Sequence, residues 1–227
     1  MEQDQGTREE TEKAFRAPGE EKMNELSVKD EIIRAGKKLY ARSLVVAKSG
    51  NISARLDPDT ILITAGGTSL GDLTRGDIVK VNLTRGVAPG SRRPSSELPL
   101  HAMIYKKTAC SRILHCHPQL TNAYFAVFSS LKEIIFETRY TLGQVPVVSQ
   151  QTVTVENPRP VAEALAKNPI VVLKNHGVVA VGDDFMEPFY LIEALESAVE
   201  VAAVARLFKK DILDGLDTCL KKRLKRA

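Results

Sequence analysis

Ile113-Leu114-His115-Cys116-His117-Pro118 is the stretch from which the rest of this chain can be read. Apolar residues lead into two histidines that alternate at period two. On a strand, His115 and His117 face one side of the sheet and Cys116 faces the other. Two imidazoles converging on one point suit a transition metal better than a packing role. The chain has only 4 histidines in 227 residues. A third, His176, lies in Leu173-Lys174-Asn175-His176-Gly177, where a polar break interrupts an apolar run and calls for a reason. Three neutral imidazoles would hold zinc and keep a fourth position open for a substrate oxygen.

The bulk composition sets the frame. At 227 residues and 43% hydrophobic, the chain can bury one substantial core. The longest apolar runs, such as Val201 to Ala205, are far too short to cross a bilayer, and the Glu-, Gln- and Arg-rich start lacks the apolar centre of a signal peptide. Three cysteines (Cys110, Cys116, Cys219) form no spaced framework, which fits a reducing compartment, and the expected location is the cytoplasm. The net charge of +4 hides an uneven distribution. Residues 1–24 carry seven acids and four bases, residues 206–227 eight bases and three acids, leaving a body of about +2. The basic run Lys221-Lys222-Arg223-Leu224-Lys225-Arg226 has no aromatic platform beside it. It reads as a solvated helix end rather than a nucleic-acid arm.

Along the chain, residues 1–25 form a polar, mobile extension, 26–210 a folded domain and 211–227 a basic tail. Ser27-Val28-Lys29-Asp30 resembles a helix-starting box, with Val28, Ile32, Ala35 and Leu39 at helical spacing. Strands are predicted over Asn51–Leu56 and Thr60–Thr64 around the Asp57-Pro58-Asp59 turn, and again from Ile78 to Leu83. A helix is predicted from Ser95 or Ser96 through Tyr105, and another over Leu120–Ser129. A third opens at Pro158-Arg159-Pro160. Ile170–Leu173 reads as a strand that Val178–Val181 resumes. Phe189, Ile192, Leu195, Val199, Ala202 and Leu207 mark the apolar stripe of a long last helix, with Glu193, Glu196 and Glu200 on its wet face. Irregular alternation of strands and helices predicts an α/β domain with a mixed sheet.

Three loops suit an oxyanion. Ser49-Gly50-Asn51, Gly66-Gly67-Thr68-Ser69 and the serines of Pro94-Ser95-Ser96-Glu97 each read alone as ordinary turns or a helix cap; together they suit an anion cradle. Glu97 beside them is a candidate general base, or a first-turn glutamate placed for the helix dipole. His101, four residues on, reads as a helix-surface or packing residue.

Taken in order, Ser49-Gly50-Asn51-Ile52-Ser53, Pro94-Ser95-Ser96-Glu97-Leu98-Pro99-Leu100-His101, His115-Cys116-His117-Pro118 and Asn175-His176-Gly177-Val178-Val179-Ala180-Val181-Gly182 resemble the class II aldolase/adducin family, most closely its L-fuculose-1-phosphate aldolase branch. The resemblance spans roughly residues 26–210. It implies a three-layer α/β/α sandwich assembled as a homotetramer, with active sites at subunit contacts. It also implies zinc held by His115, His117 and His176, with Glu97 as acid/base able to lean onto the metal. A phosphate site would be lined by Gly50, Asn51, Gly66, Gly67, Ser95 and Ser96. The implied reaction is reversible cleavage of a ketose 1-phosphate to dihydroxyacetone phosphate and an aldehyde through a metal-stabilised enediolate.

The chain also departs from the family pattern. Family members commonly carry Thr or Ser where Gly66 stands. The sugar-phosphate aldolases have a tyrosine about twenty residues past the histidine pair, where this chain has Phe136 with Tyr140 out of step. They use another near the C-terminus, where this chain has none after Tyr190. A methylthioribulose-1-phosphate dehydratase and a metal-dependent decarboxylase are alternatives within the family. A pentulose-phosphate 4-epimerase ranks lower, since those resemble this chain but carry Asp at the Glu97 position. An adducin-like scaffold without catalysis would be expected to lose the ligands that are all present here.

Overall fold

A computed structural model describes residues 24–132 and 135–224, with side chains described through Phe208. The expected extension over 1–25 lies almost wholly outside the described residues, and so do the side chains of the basic tail. Helix α1 spans Glu25–Ala41. It is followed by strands β1 (Asn51–Asp57) and β2 (Thr60–Thr64), two single 3-10 turns, and then β3 (Ile78–Asn82) and the short β4 (Gly86–Val87). Next come α2 (Leu98–Lys107), β5 (Arg112–Cys116), α3 (Gln119–Val127), α4 (Phe136–Leu142) and β6 (Val147–Ser149). The chain ends with α5 (Arg159–Leu165), β7 (Ile170–Lys174), β8 (Gly177–Gly182) and α6 (Met186–Leu224).

The eight strands form one sheet in the order β4-β3-β2-β1-β5-β8-β7-β6. Every neighbouring pair is antiparallel except β6–β7. Alternation along each strand supplies both faces with apolar side chains, which explains why the strands read as nearly unbroken hydrophobic runs. Leu114 and Cys116 point into a core shared with α1, α3, α4 and α6, built on Ile32, Leu39, Phe125, Phe189, Ile192 and Leu195. Ile113, Val171 and Val179 point the other way, against Leu100 and Ile104 of α2 and Val161 and Leu165 of α5. The result is the expected α/β/α sandwich with a mixed sheet.

Several local expectations change. Helix α1 starts before the Ser27 box. The Asn24 side chain accepts the Leu26 N–H at 3.1 Å, and Glu25 supplies the first-turn acid. Helix α2 starts at Leu98, not at the serines. The Ser95 N–H is drawn to the Thr64 carbonyl at 3.0 Å and Pro94 bridges Ala65, so this stretch is bound to the sheet before the helix can begin. Val178–Val181 does not resume the Ile170 strand; it reverses it. Asn175 at φ 65° turns the chain, the His176 N–H closes on the Leu173 carbonyl at 3.0 Å, and β7 and β8 pair as a hairpin. The long stripe is buried at Phe189, Ile192, Leu195, Val199 and Ala202, but Leu207 is exposed because α6 continues past the sheet. Strand β6 and helix α4 were not foreseen; β6 has only three residues, and α4 buries only Thr138 and Leu142.

Glu196 does not lie on a wet face either. Its carboxylate accepts the N–H groups of Leu120 (2.9 Å) and Thr121 (2.8 Å) and the Thr121 hydroxyl (2.6 Å), capping α3 from α6. This clamp follows directly on His117-Pro118. Glu196→Ala is expected to cost about 1.5–3 kcal/mol in a urea titration, the range for charge-assisted hydrogen bonds lost together. A change below a few tenths would mean that water caps α3 equally well.

Candidate active site

The candidate residues gather at one end of the sheet because its strands alternate in direction. Asn51 opens β1, Thr64 closes β2, Cys116 closes β5 and Gly177 opens β8. Within this end, Asn51 lies opposite His115 across the β1–β5 ladder, and His115 lies opposite Val179 across β5–β8.

The three histidines meet. His115 Nε2 stands 3.1 Å from His117 Nε2 and 3.3 Å from His176 Nε2, and the ring centroids are 4.8–5.1 Å apart. Nitrogens this close, with no proton donors required between them, form a ligand set that could hold a metal ion. His115 Nδ1 is 3.0 Å from the Val178 carbonyl, so it donates there and the Nε2 lone pair is turned inward. Burial keeps the rings neutral: His115 is held well below its ordinary pKa, His117 is lowered to about 4, and His176 is also lowered. Neutral imidazoles are the form that ligates. His176 Nδ1 is buried without a partner among the described residues.

Two glycines let these rings approach. A Cβ on Gly177 would strike the Cys116 carbonyl and come within 2.9 Å of His117 Cδ2 and 3.2 Å of His115 Cε1. On the other flank, Gly50 at φ 79° passes so close that a Cβ would meet the His115 carbonyl at 2.8 Å. The reversal that carries His176 is tied to α3, where the Asn122 amide donates to the His176 carbonyl at 3.2 Å. A cavity of about 460 Å³ opens beside His117 and His176, lined also by Asn175 and the Gln150–Val153 loop.

Glu97 lies outside the histidine group but is nearly sealed, at 4% exposure. Its Oε1 accepts the Val155 N–H at 3.1 Å, its Oε2 has no partner among the described residues, and desolvation raises its pKa. Buried carboxyls perturbed in this way are recurrent acid/base groups.

The expected anion donors are brought together only in part. Gly66 packs against Pro94, and its N–H is taken by the Arg93 carbonyl at 3.0 Å; the Ser95 N–H is likewise occupied. Ser95 Oγ accepts the Glu97 N–H at 3.2 Å and keeps its own proton to donate, while Ser96 is exposed. Gly67, at φ 75°, has open space around it. His101 is no surface residue: it is fully buried and bridges Asn51 and Ser53. Sequence reasoning missed the clearance at Gly177 and the Glu196 cap on the helix that follows His117-Pro118. The Gly following His176 was the available signal for the first; nothing local signals the second.

Comparison with known proteins agrees with this geometry. Residues 30–203 match the class II aldolase and adducin N-terminal domain family. The chain is 31% identical over 185 residues to an L-fuculose phosphate aldolase of Methanocaldococcus jannaschii, covering 80% of this chain and 99% of that one. It is 32% identical over 180 residues to a methylthioribulose-1-phosphate dehydratase of Acidiphilium cryptum, covering 73% and 85%. The crystal structure of L-fuculose-1-phosphate aldolase from Thermus thermophilus superposes with a TM-score of 0.73 at 29% identity, covering 82% of this chain and 97% of that one. The chain belongs to the class II aldolase and adducin family, and it is a metal-dependent enzyme of the aldolase type.

Two outcomes follow. Gly177→Ala is expected to lower metal content on purification while the far-ultraviolet circular dichroism is kept; full occupancy would show that β8 can yield. Acid should also destabilise the metal-free protein. His101 and His117 are held to about 3 and about 4, below the ordinary 6.5, so the unfolded chain binds protons that the folded chain refuses. Their contribution is complete above about pH 6.5 and is lost as the pH falls toward the folded values. The denaturation midpoint should therefore drop steadily between about pH 7 and 4, and a flat profile would contradict these assignments.

Proposed function

We propose that this protein is a zinc-dependent aldolase that reversibly cleaves a ketose 1-phosphate, of the L-fuculose 1-phosphate kind, to dihydroxyacetone phosphate and an aldehyde. The observation that carries the reading is the convergence of three neutral histidine Nε2 atoms at the sheet end that also holds Asn51 and the Ser95 segment. His115, His117 and His176 hold the ion, which when bound supplies Lewis-acid stabilisation of the negative charge that builds on the substrate oxygens as the carbon–carbon bond breaks.

The chain's own groups do the rest. Glu97 takes the proton from the hydroxyl whose carbon becomes the aldehyde, or returns one to the carbon left behind. Its unpartnered Oε2 and raised pKa suit both directions. Glu97, which lies outside the histidine group here, would lean onto the metal when substrate is absent. Gly50, Asn51, Gly66, Gly67, Ser95 and Ser96 line the phosphate site. There, binding energy from a group remote from the chemistry aligns the bond to be broken. Gly50 and Gly66 act by leaving room, and the others by facing the anion.

We assign residues 26–210 to the catalytic domain, flanked by the polar 1–25 extension and the basic 211–227 tail. The working assembly is a homotetramer with active sites at subunit interfaces. Phe136 and Tyr140 on α4, each 94% exposed, and Val153 at 91% support it as aromatic and apolar surface that asks for cover. A cytoplasmic location is supported by the unpaired, buried Cys110 and Cys116. No helix among the described residues is long and apolar enough to cross a membrane. A dehydratase acting on methylthioribulose 1-phosphate is the second reading, favoured by the comparable identity to that relative.

Incubation of the zinc-loaded protein with ketose 1-phosphates, their unphosphorylated sugars and methylthioribulose 1-phosphate separates these. Release of dihydroxyacetone phosphate from a ketose 1-phosphate is expected. Loss of water from methylthioribulose 1-phosphate without cleavage would replace the aldolase by the dehydratase. Glu97→Gln should keep its zinc and lose about 10²–10⁴ in turnover, the usual contribution of a positioned acid/base. A near-wild-type rate would remove Glu97 from the reaction.

A further inference from the structure

Behind Asn51 runs a sealed chain of polar groups that packing does not require. His101 Nε2 stands 2.5 Å from Asn51 Oδ1, His101 Nδ1 stands 2.6 Å from Ser53 Oγ, and Ser53 Oγ stands 2.8 Å from the Tyr105 hydroxyl. His101 and Ser53 are fully buried, Tyr105 is 3% exposed and Asn51 6%. We propose that His101 is a positioning residue whose Nε2–H fixes the Asn51 side chain so that its amide N–H groups, and not its carbonyl, are offered to the substrate phosphate. This inference rests on the reading of Asn51 as part of a phosphate site.

The polarity of the chain follows from its far end. Among the described residues, the Tyr105 hydroxyl has one hydrogen-bond partner, Ser53 Oγ. If Tyr105 donates to Ser53, Ser53 donates to His101 Nδ1 and His101 Nε2–H donates to Asn51 Oδ1. Every proton in the row then has an acceptor. In the opposite sense His101 Nδ1–H donates to Ser53, Ser53 donates to Tyr105, and the phenol proton is left buried with nowhere to go. An orphaned buried donor costs about 1–3 kcal/mol, enough to make the first arrangement dominant. It needs a neutral imidazole, and burial holds the His101 pKa down to about 3.

The consequence reaches the substrate. The Asn51 amide nitrogen has no acceptor among the described residues and keeps access to solvent, while its oxygen is bound from behind. An anion at the β1 end of the sheet therefore meets a donor. A freely rotating asparagine would present its oxygen part of the time and repel it. Ser53 and Tyr105 do not touch the ligand. They set the tautomer of the ring that sets the amide, in the way that partners behind a metal-bound imidazole set its orientation.

The test uses the full-length zinc protein with inorganic phosphate as probe. Nitrogen-15 spectra of histidine-labelled protein should show His101 as the Nε2–H tautomer, assigned by its loss in His101→Gln; the Nδ1–H tautomer would overturn the proposal. His101→Leu should weaken phosphate binding about tenfold or more at unchanged zinc content, the loss expected when one hydrogen bond to an anion is disordered. His101→Gln, whose amide can still donate to Asn51, should recover most of that affinity. Unchanged binding in a folded His101→Leu, with binding still weakened by Asn51→Ala, overturns this inference alone. Failure of the wild-type protein to bind phosphate at all overturns the phosphate reading and this inference together. Where His101→Leu does not fold, the wild-type tautomer decides.

Discussion

The close passage of strand β8 beside the end of β5 is the constraint on which the site depends. Gly177 lies where any side chain would meet the Cys116 carbonyl and two imidazole rings, and the next carbonyl, Val178, receives the His115 Nδ1 proton. On the other side of β5, Gly50 leaves no more room against the His115 carbonyl. His115 is thus held between two backbones that approach it because both lack a Cβ. The same reversal that places Gly177 carries His176 on its preceding residue. One turn of chain therefore supplies the clearance, a candidate ligand and the hydrogen bond that orients another candidate ligand.

Helix α2 is the second support. His101 and Tyr105 lie four residues apart on one side of the helix, with Glu97 four residues earlier at its N-cap, and both rings meet β1 beside the apolar Leu100 and Ile104. This polar stripe inside an apolar face is costly unless each group is matched, and it is matched by β1. Ser53 meets His101 and Tyr105, Asn51 meets His101, and the Arg55 guanidinium reaches the Tyr105 carbonyl at 2.6 Å. Glu97 is the exception, with one oxygen tied to the loop after β6 and one without a partner among the described residues. The unmatched group on an otherwise matched stripe is the one proposed to move protons.

Much of this was legible in the sequence because it is carried by local period. The two-residue alternation brought His115 and His117 to one point, although β5 ends at Cys116 and His117 lies one residue beyond it with its N–H on the Leu44 carbonyl; the apolar stripe of α6 and the strands around Asp57-Pro58-Asp59 were readable from spacing alone. Contacts set by distant chain were not. The start of α2 is delayed because Ser95 is hydrogen-bonded to Thr64, thirty-one positions earlier, and sequence around Ser95 gives no sign of that. Glu196 looked like one more acid on a wet face because its partners lie on α3, about seventy-five positions away. His101 reads in sequence as a helix-surface or packing residue because its polar partners, Ser53 and Asn51, lie 48 and 50 positions away on β1. Asn175-His176-Gly177 was visible as a break, but whether the strand resumed or reversed depended on the positive φ of Asn175.

The disposition of backbone donors bears on how such a site can discriminate. Gly-rich loops hold anions best when several N–H groups point inward together. Here the Gly66 N–H is taken by Arg93 and the Ser95 N–H by Thr64, so the loop–serine junction is closed by its own hydrogen bonds. The side-chain donors left at this end of the sheet are the Asn51 amide, the Ser95 hydroxyl and the exposed Ser96. Side-chain donors depend on what holds them from behind, and so the buried row from Tyr105 to Asn51 matters more than it would beside a full ring of amides. The candidate metal ligands are fixed by clearance in the sheet, and the proposed anion site by polarity in the layer beneath it. If His101 sets the Asn51 amide as proposed, substitutions on α2 would tune anion binding without touching the candidate metal ligands.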